Sequence, residues 1–327
     1  ELIIHKGASL NKIAGHMFLT TEGIFGVPLG VSAGFVFLFV LFGSLLDKAG
    51  AGEYFINLAF SMLGKYRGGS AKASIIASGF MGIMSGSSIA NTVTTGTFTI
   101  PLMKRTGFRA EQAAAVEVSA SSNGQLMPPV MGAAAFIMAE FLGMAYTDVV
   151  IAAFIPAFVA YFGLFYIIHL EALKLGLKGM DDEDIPPKWK TFIQGIHYLI
   201  PIMFLLYTLV VLRESAASAA FNAIMLLMVL MVVQHPFRAI LAKEKLTRDI
   251  WLSGFVDILA GMISGAKNMV PIAIATALAG IVVGTITLTG LGQVLLDVVE
   301  TLADGNIFAI LVLAALISII LGMGLPT

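Results

Sequence analysis

Apolar residues in this chain fall into long blocks, and the polar residues between the blocks set its organisation. A helix needs about 20 apolar residues to cross a bilayer, and residues 24–46 form the first block that has them. Residues 9–22 are mixed and predict an interfacial segment, and residues 53–63 predict a short surface helix. The blocks at 73–84 and 98–103 are too short to cross. Between them lies Ser85-Gly86-Ser87-Ser88-Ile89-Ala90-Asn91-Thr92, with Thr94, Thr95, Gly96 and Thr97 behind it. This pattern predicts a helical hairpin over residues 70–103 that enters the membrane, turns at depth and leaves by the same side. Polar, non-helical backbone is tolerated at that depth only where protein or a water-filled cavity surrounds it. The turn is therefore a candidate binding site.

Residues 111–140 have the length of a span but a polar middle. Ser119, Ser121, Ser122, Asn123, Gly124 and Gln125 are followed by Pro128 and Pro129. Proline lacks the amide hydrogen and clashes with the preceding turn, and the residue before it avoids the helical region. Two half-helices joined by unwound backbone around residues 122–128 are expected. Residues 149–169, 198–212, 217–233 and 269–289 predict further spans. Residues 250–265 are amphipathic, with Trp251, Phe255, Leu259 and Met262 on one side and Ser253, Asp257 and Ser264 on the other, and predict a separate interfacial helix. Residues 307–321 open a last apolar element, which runs into Gly322-Met323-Gly324-Leu325-Pro326-Thr327.

The expected division is a periplasmic-side arm (1–23), a first repeat (24–170) holding the hairpin (70–103) and the broken helix (111–140), a polar cytoplasmic connector (171–197), and a second half (198–327) that stops within a second hairpin. Gly50, Gly52 and Gly82 recur 240 residues later as Gly290, Gly292 and Gly322, and the order of span, short helix and apolar run recurs with them. Counting crossings makes the two equivalent spans antiparallel. The same count puts every Lys and Arg except Lys6, Lys12 and Arg213 on one side, the distribution expected of cytoplasmic loops. The fold class read from this pattern is an all-α polytopic membrane protein with inverted repeats, re-entrant helical hairpins and a broken transmembrane helix.

Composition agrees. Of 327 residues, 58% are hydrophobic and 12% charged, against about 25% charged in soluble domains, and the mean hydropathy is +0.94. A net charge of -1 offers no field to attract nucleic acid, and the absence of cysteine excludes disulfides and thiolate metal sites. The sequence opens at Glu1 and ends at Thr327 inside a motif, which reads as part of a longer chain.

Inverted repeats with interrupted helices meeting at mid-membrane are a plan of secondary transporters. Freed carbonyls at the C-terminus of a half-helix, with Ser, Thr and Asn oxygens, can replace the hydration shell of a small cation. Exposed amides at a half-helix N-terminus suit an anion. Carbonyl and hydroxyl oxygens are hard ligands, so sodium is favoured over a transition metal. No phosphate-binding loop of an ATPase is present, so an ion gradient is left as the driving force and no cofactor is expected.

The run 85–91, Thr95-Gly96-Thr97-Phe98-Thr99-Ile100-Pro101-Leu102-Met103-Lys104 and Gly124-Gln125-Leu126-Met127-Pro128-Pro129-Val130-Met131-Gly132 resemble the signatures of the large membrane subunit of tripartite ATP-independent periplasmic (TRAP) transporters. With residues 322–327 the resemblance extends to the branch in which small and large membrane subunits are fused. It implies sodium-coupled uptake of an organic acid across a bacterial or archaeal cytoplasmic membrane, an elevator-type movement, and an extracytoplasmic binding protein that delivers the ligand. Carried over residue by residue, it places sodium at Ser87, Ser88, Asn91 and the Gly124 carbonyl, with a second site at Gly322 and Thr327. Substrate would lie near Thr94, Ser122, Asn123 and Gln125.

Other readings remain open at this point. A sodium–carboxylate symporter that works without a binding protein has the same hairpin plan. A membrane scaffold or an intramembrane enzyme is less well supported, because the spans lack a paired nucleophile and base. Glu117 falls within a span, where a carboxylate is a functional hypothesis by default. Pairing with a basic or hydroxyl neighbour is the first expectation, and a proton or ion ligand the second. His169, His197 and His235 stand at span ends without metal-ligand spacing.

Overall fold

The computed structural model describes residues 7–241 and 247–322, and the described residues are helical with no strands. In chain order the helices are α1 (Leu10–Leu19), α2 (Val27–Val31), α3 (Phe37–Lys48), α4 (Ala51–Leu63), α5 (Gly69–Ser85), α6 (Ser88–Arg105), α7 (Ala110–Gly124), α8 (Ala133–Leu142), α9 (Tyr146–Lys174), α10 (Lys188–Gly195), α11 (Leu199–Leu206), α12 (Ala216–Leu241), α13 (Arg248–Thr289), α14 (Leu291–Ala303) and α15 (Ile307–Gly322). A π-helical turn at Ser32–Val36 joins α2 to α3, and another at Tyr207–Val211 extends α11. Among the described residues five helical stretches are long and apolar enough to cross a membrane: Val27–Lys48, Tyr146–Lys174, Asp182–Val211, Ala216–Ile240 and Arg248–Thr289. The protein is an all-α polytopic membrane protein.

The chain divides into two compact units, residues 31–272 and residues 1–30 with 273–327. In the larger unit α5 is packed against α4, α6, α7 and α9. Its small residues Ala71, Ala73 and Ala77, with Ile75, are fully buried, which lets neighbouring helices approach closely. One apolar cluster joins Ala71 and Ile75 to Met103, Val116, Ala120, Tyr161 and Ile168 on α6, α7 and α9. A second packs Ala73 and Ala77 against Ala59 and Phe60 of α4. The α4 helix is thus built into the core through Tyr54, Phe55, Leu58, Ala59 and Phe60, where the sequence pattern predicted a surface helix. Its outward-facing Glu53 and Met62 gave the stretch its mixed character.

The smaller unit holds α1, α14 and α15. Ser9 caps α1, its Oγ accepting from Lys12 N at 3.3 Å. Gly280 and Gly284 lie against the backbone of Gly23 and Glu22, and His16 Nε2 meets Gly284 O at 3.1 Å.

One expected boundary is absent. Residues 250–265 and 269–289 belong to a single helix of 42 residues. The amphipathic stretch is therefore not a separate helix. Gly254 packs on the backbone of Met231, and Gly261 and Gly265 pack on Leu45 and Leu41. Asp257 pairs with His235 of α12 at 2.7 Å, and Asn268 Nδ2 donates to Ser44 Oγ at 3.1 Å. These contacts fix the helix across residues 254–268, ahead of Pro271, whose local effect favours a break.

The 240-residue recurrence is visible in backbone conformation. Gly50 stands between α3 and α4 at φ 100°, ψ 12°, and Gly290 stands between α13 and α14 at φ 70°, ψ 11°. Each is followed by a helix of 13 residues, Ala51–Leu63 and Leu291–Ala303.

Candidate functional site

The hairpin turn is short. α5 ends at Ser85, and Gly86 adopts a left-handed conformation (φ 57°) with its amide bonded to Gly82 O at 3.2 Å. A Cβ at Gly86 would collide with Met131 O, so the position needs glycine both for its φ and for its space. Ser87 then caps α6, its Oγ accepting from Ala90 N at 3.3 Å, as short hydroxyl side chains do at helix N-termini. Only Gly86 and Ser87 are non-helical. Most of the polar run at 85–97, expected to be an extended turn, is the first turns of α6.

The second interrupted element is α7–α8. α7 ends at Gly124, and residues 125–132 are unwound before α8 begins at Ala133, three residues beyond the predicted start of the break. The Tyr146 hydroxyl, from the start of α9, donates to Pro129 O at 2.6 Å or Val130 O at 2.9 Å. Its ring stacks on Phe136 of α8 at 4.1 Å. A buried phenol thus holds the freed carbonyls of the break.

The turn and the break are in contact. A Cβ built on Gly82 would lie 2.5 Å from Gly124 Cα, and one on Gly132 would lie 3.5 Å from Gly86 O. Gln125 Nε2 donates to Ser88 Oγ at 3.1 Å. Four helix ends therefore converge: the C-termini of α5 and α7 and the N-termini of α6 and α8. Carbonyl ends carry partial negative charge and amide ends partial positive charge. This geometry suits a small cation beside the carbonyl ends and an anion beside the amide ends. Among the described residues no group of three or more His, Cys, Asp or Glu is placed to hold a metal.

Of the residues singled out from the sequence, Ser87, Ser88, Asn91, Gly124 and Gln125 come together here. Ser88, Asn91 and Gly124 are buried, and Ser87, Asn123 and Gln125 are half-buried. Thr94 and Ser122 are exposed. Gly322 closes α15 in the smaller unit, and Thr327 lies outside the described residues. The Asn91 side chain is turned inward: Nδ2 donates to Ser78 O at 2.9 Å and Ser78 Oγ at 3.0 Å, clasping α6 to α5.

Behind Asn91 lies a polar network that the motif reading missed. Ser78, Asn91, Thr95, Thr99, Glu117 and Ser121 are all buried. Ser78 Oγ is 3.2 Å from Ser121 Oγ. Thr95 and Ser121 reach Glu117 Oε1, the latter at 3.3 Å, and Thr99 Oγ1 reaches Oε2 at 2.5 Å. Glu117 has the hydroxyl partners expected for it. The available signal was spacing: Ser74 and Ser78, then Asn91, Thr95 and Thr99, then Glu117 and Ser121, each at intervals of four on an apolar helix.

Comparison with known proteins decides the family. The model of the family described as "Tripartite ATP-independent periplasmic transporter, DctM component" matches residues 2–327. The chain belongs to this family. Among curated relatives, the C4-dicarboxylate TRAP transporter large permease protein DctM of Vibrio cholerae is 32% identical over 131 residues, 39% of this chain and 27% of the relative. The 2,3-diketo-L-gulonate TRAP transporter large permease protein YiaN of Escherichia coli is 22% identical over 288 residues, 85% and 62% of the two chains. The isethionate TRAP transporter permease protein DctMQ of Oleidesulfovibrio alaskensis is 25% identical over 307 residues, 88% and 46% of the two chains. The chain thus spans less than two thirds of each of these TRAP permeases. Family and helices together make it a multi-pass protein of the cytoplasmic membrane, in a family of transporter components rather than enzymes.

Proposed function

We propose that this chain forms part of a permease that takes up a small organic acid by sodium-coupled secondary transport. The convergence of four helix ends at Gly86–Ser88, Gly124–Gln125 and Gly132–Ala133 carries this reading. Sodium would use the hydroxyls of Ser87 and Ser88, the Asn91 side-chain oxygen and the Gly124 carbonyl. Gly322 and Thr327 would serve a second site. The acid group of the substrate would approach the amide ends near Thr94, Ser122, Asn123 and Gln125, at the exposed margin of the cluster.

The relatives named above are permeases for C4-dicarboxylates, a diketo sugar acid and a sulfonate, and all three ligands are anions. That range supports an organic anion here without selecting one. A separate extracytoplasmic binding protein and a small membrane subunit, fused or separate, are the proposed partners. An elevator-type displacement of the hairpin with the broken helix would carry the site across the bilayer.

Proteoliposomes holding the full-length permease, its small subunit and its binding protein test this reading with a panel of radiolabelled C4-dicarboxylates, sugar acids and sulfonates. Uptake of at least one is expected only with an inward sodium gradient, and only with the binding protein present. Equal uptake with potassium in place of sodium rejects the coupling ion. Full-rate uptake without the binding protein favours the independent symporter.

A further inference from the structure

Glu117 is fully buried on the face of α7 that meets α6. Among the described residues no basic side chain lies within ion-pair distance of it. Its side-chain partners are hydroxyls: Thr95 and Ser121 on Oε1, and Thr99 on Oε2. Among the described residues the elements packed around it bring no ion-pair partner: Lys72, the buried cation of α5, is bonded instead to Arg67 O at 2.8 Å and His169 Nδ1 at 2.9 Å. α5 contributes Ser78, bonded to Ser121, and α9 turns Tyr161 toward the cluster, its hydroxyl donating to Ala120 O at 2.9 Å. An ionised carboxylate in such a setting is costly, and groups placed so commonly neutralise instead.

The network accepts Glu117 in either form. In the charged form, Thr95 and Ser121 donate to Oε1 and Thr99 donates to Oε2. In the neutral form, a proton on Oε1 donates to Thr95 Oγ1. The hydroxyl hydrogen of Thr95 then turns to Asn91 O, 2.8 Å away. Oε1 keeps a lone pair for Ser121, and Oε2 still accepts from Thr99. In both arrangements every hydroxyl and carboxyl hydrogen of the cluster has an acceptor. A carboxylate fixed by a lysine or arginine would have no such second arrangement.

We propose that Glu117 is a proton-binding site of the permease, which takes one proton from solvent and returns it when α6 moves against α7. The step forms and breaks a single O–H bond and needs no other reactant. Because the carboxyl is sealed in this conformation, exchange requires α6 to lift. The outer face of that helix carries exposed Val93, Thr94, Thr97 and Phe98. The inference is independent of which cation or anion the permease carries.

Infrared difference spectroscopy tests it, with the full-length permease in lipid nanodiscs titrated from about pH 5 to about pH 9, a range that covers documented buried carboxyls. The reading is the carbonyl stretch of a protonated carboxyl shielded from water. One such band is expected to disappear as pH rises and to be absent from Glu117→Gln. Thr99→Val leaves the carboxyl in place and removes a donor to its ionised form, so the midpoint is expected at higher pH. The proposal is overturned by a wild-type band that is missing or does not titrate, by one that persists in Glu117→Gln, or by a Thr99→Val midpoint equal to wild type. The measurement needs no transport, so its outcome is separable from the proposed uptake activity.

Discussion

Gly82 and Gly124 meet backbone to backbone: a Cβ on Gly82 would stand 2.5 Å from Gly124 Cα, and one on Gly124 would stand 2.9 Å from Asn91 Nδ2. The atoms in the way are main chain and a clasped amide, neither of which can swing aside. Gly124→Ala is therefore expected to separate α7 from the hairpin and to cost about 1–3 kcal/mol, the range for overpacking a tight core. Gly163→Ala is the control, because a Cβ there meets nothing within 4 Å and alanine improves helix propensity. Thermal melts in detergent should show a lower midpoint for Gly124→Ala and an equal or higher one for Gly163→Ala. Equal midpoints for the wild type and Gly124→Ala would show that the two helices are not in register here.

Asn91 separates a structural role from a ligand role by chemistry. Its Nδ2 donates to Ser78 O and Ser78 Oγ, so loss of the side chain leaves buried polar groups unpaired, at about 1–3 kcal/mol. Asn91→Asp is expected to be worse than Asn91→Ala, because it sets a carboxyl oxygen against the Ser78 carbonyl. A cation ligand that needed only an oxygen would rank the two the other way. Melting midpoints of both variants, with and without sodium, decide between them.

The hairpin turn and the break were legible because their signals are local. Ser85-Gly86-Ser87 supplies a left-handed stop and a cap, and Pro128-Pro129 forbids a continuous helix. The matching bends 240 residues apart were legible because Gly50 and Gly290 each hold a left-handed conformation that few other residues tolerate. What the sequence hid depends on direction and on neighbours. The polar residues of α6 have the right spacing for a ligand site, but only packing shows that Asn91, Thr95 and Thr99 point inward to Ser78 and Glu117 while Thr94 points out. The join across residues 265–269 was hidden for a similar reason. Lys267, Asn268 and Pro271 favour an interruption locally, and the partners of Gly261, Gly265 and Asn268 on α3 override it.

The unwound segment after α7 is expected to depend on one phenol. Tyr146→Phe keeps the stack on Phe136 and removes the donor to Pro129 O and Val130 O. Overall stability should fall by about 1–3 kcal/mol. Amide hydrogen exchange should rise across residues 126–132 while α5 and α9 stay protected. Exchange that rises equally along α9 would mean that the hydroxyl supports the whole helix rather than the break.

The two bends of the repeat differ in surroundings, and that difference gives a graded test. Both glycines are left-handed, which costs an L-residue about 1–2 kcal/mol. At Gly290 a Cβ meets nothing within 4 Å, whereas at Gly50 it would lie 2.9 Å from the Tyr198 hydroxyl. That hydroxyl donates to Ala49 O at 2.6 Å and accepts from Arg238 Nη2 at 2.7 Å, so it cannot yield without releasing both. Gly290→Ala should lose only the conformational term, and Gly290→Asn should recover part of it, since asparagine visits this region more readily than alanine. Gly50→Ala and Gly50→Asn should both be more damaging, with little recovery by asparagine. Melting midpoints of the four variants measure this directly, and equal losses at the two positions would mean that the Tyr198 hydroxyl does not constrain the first bend.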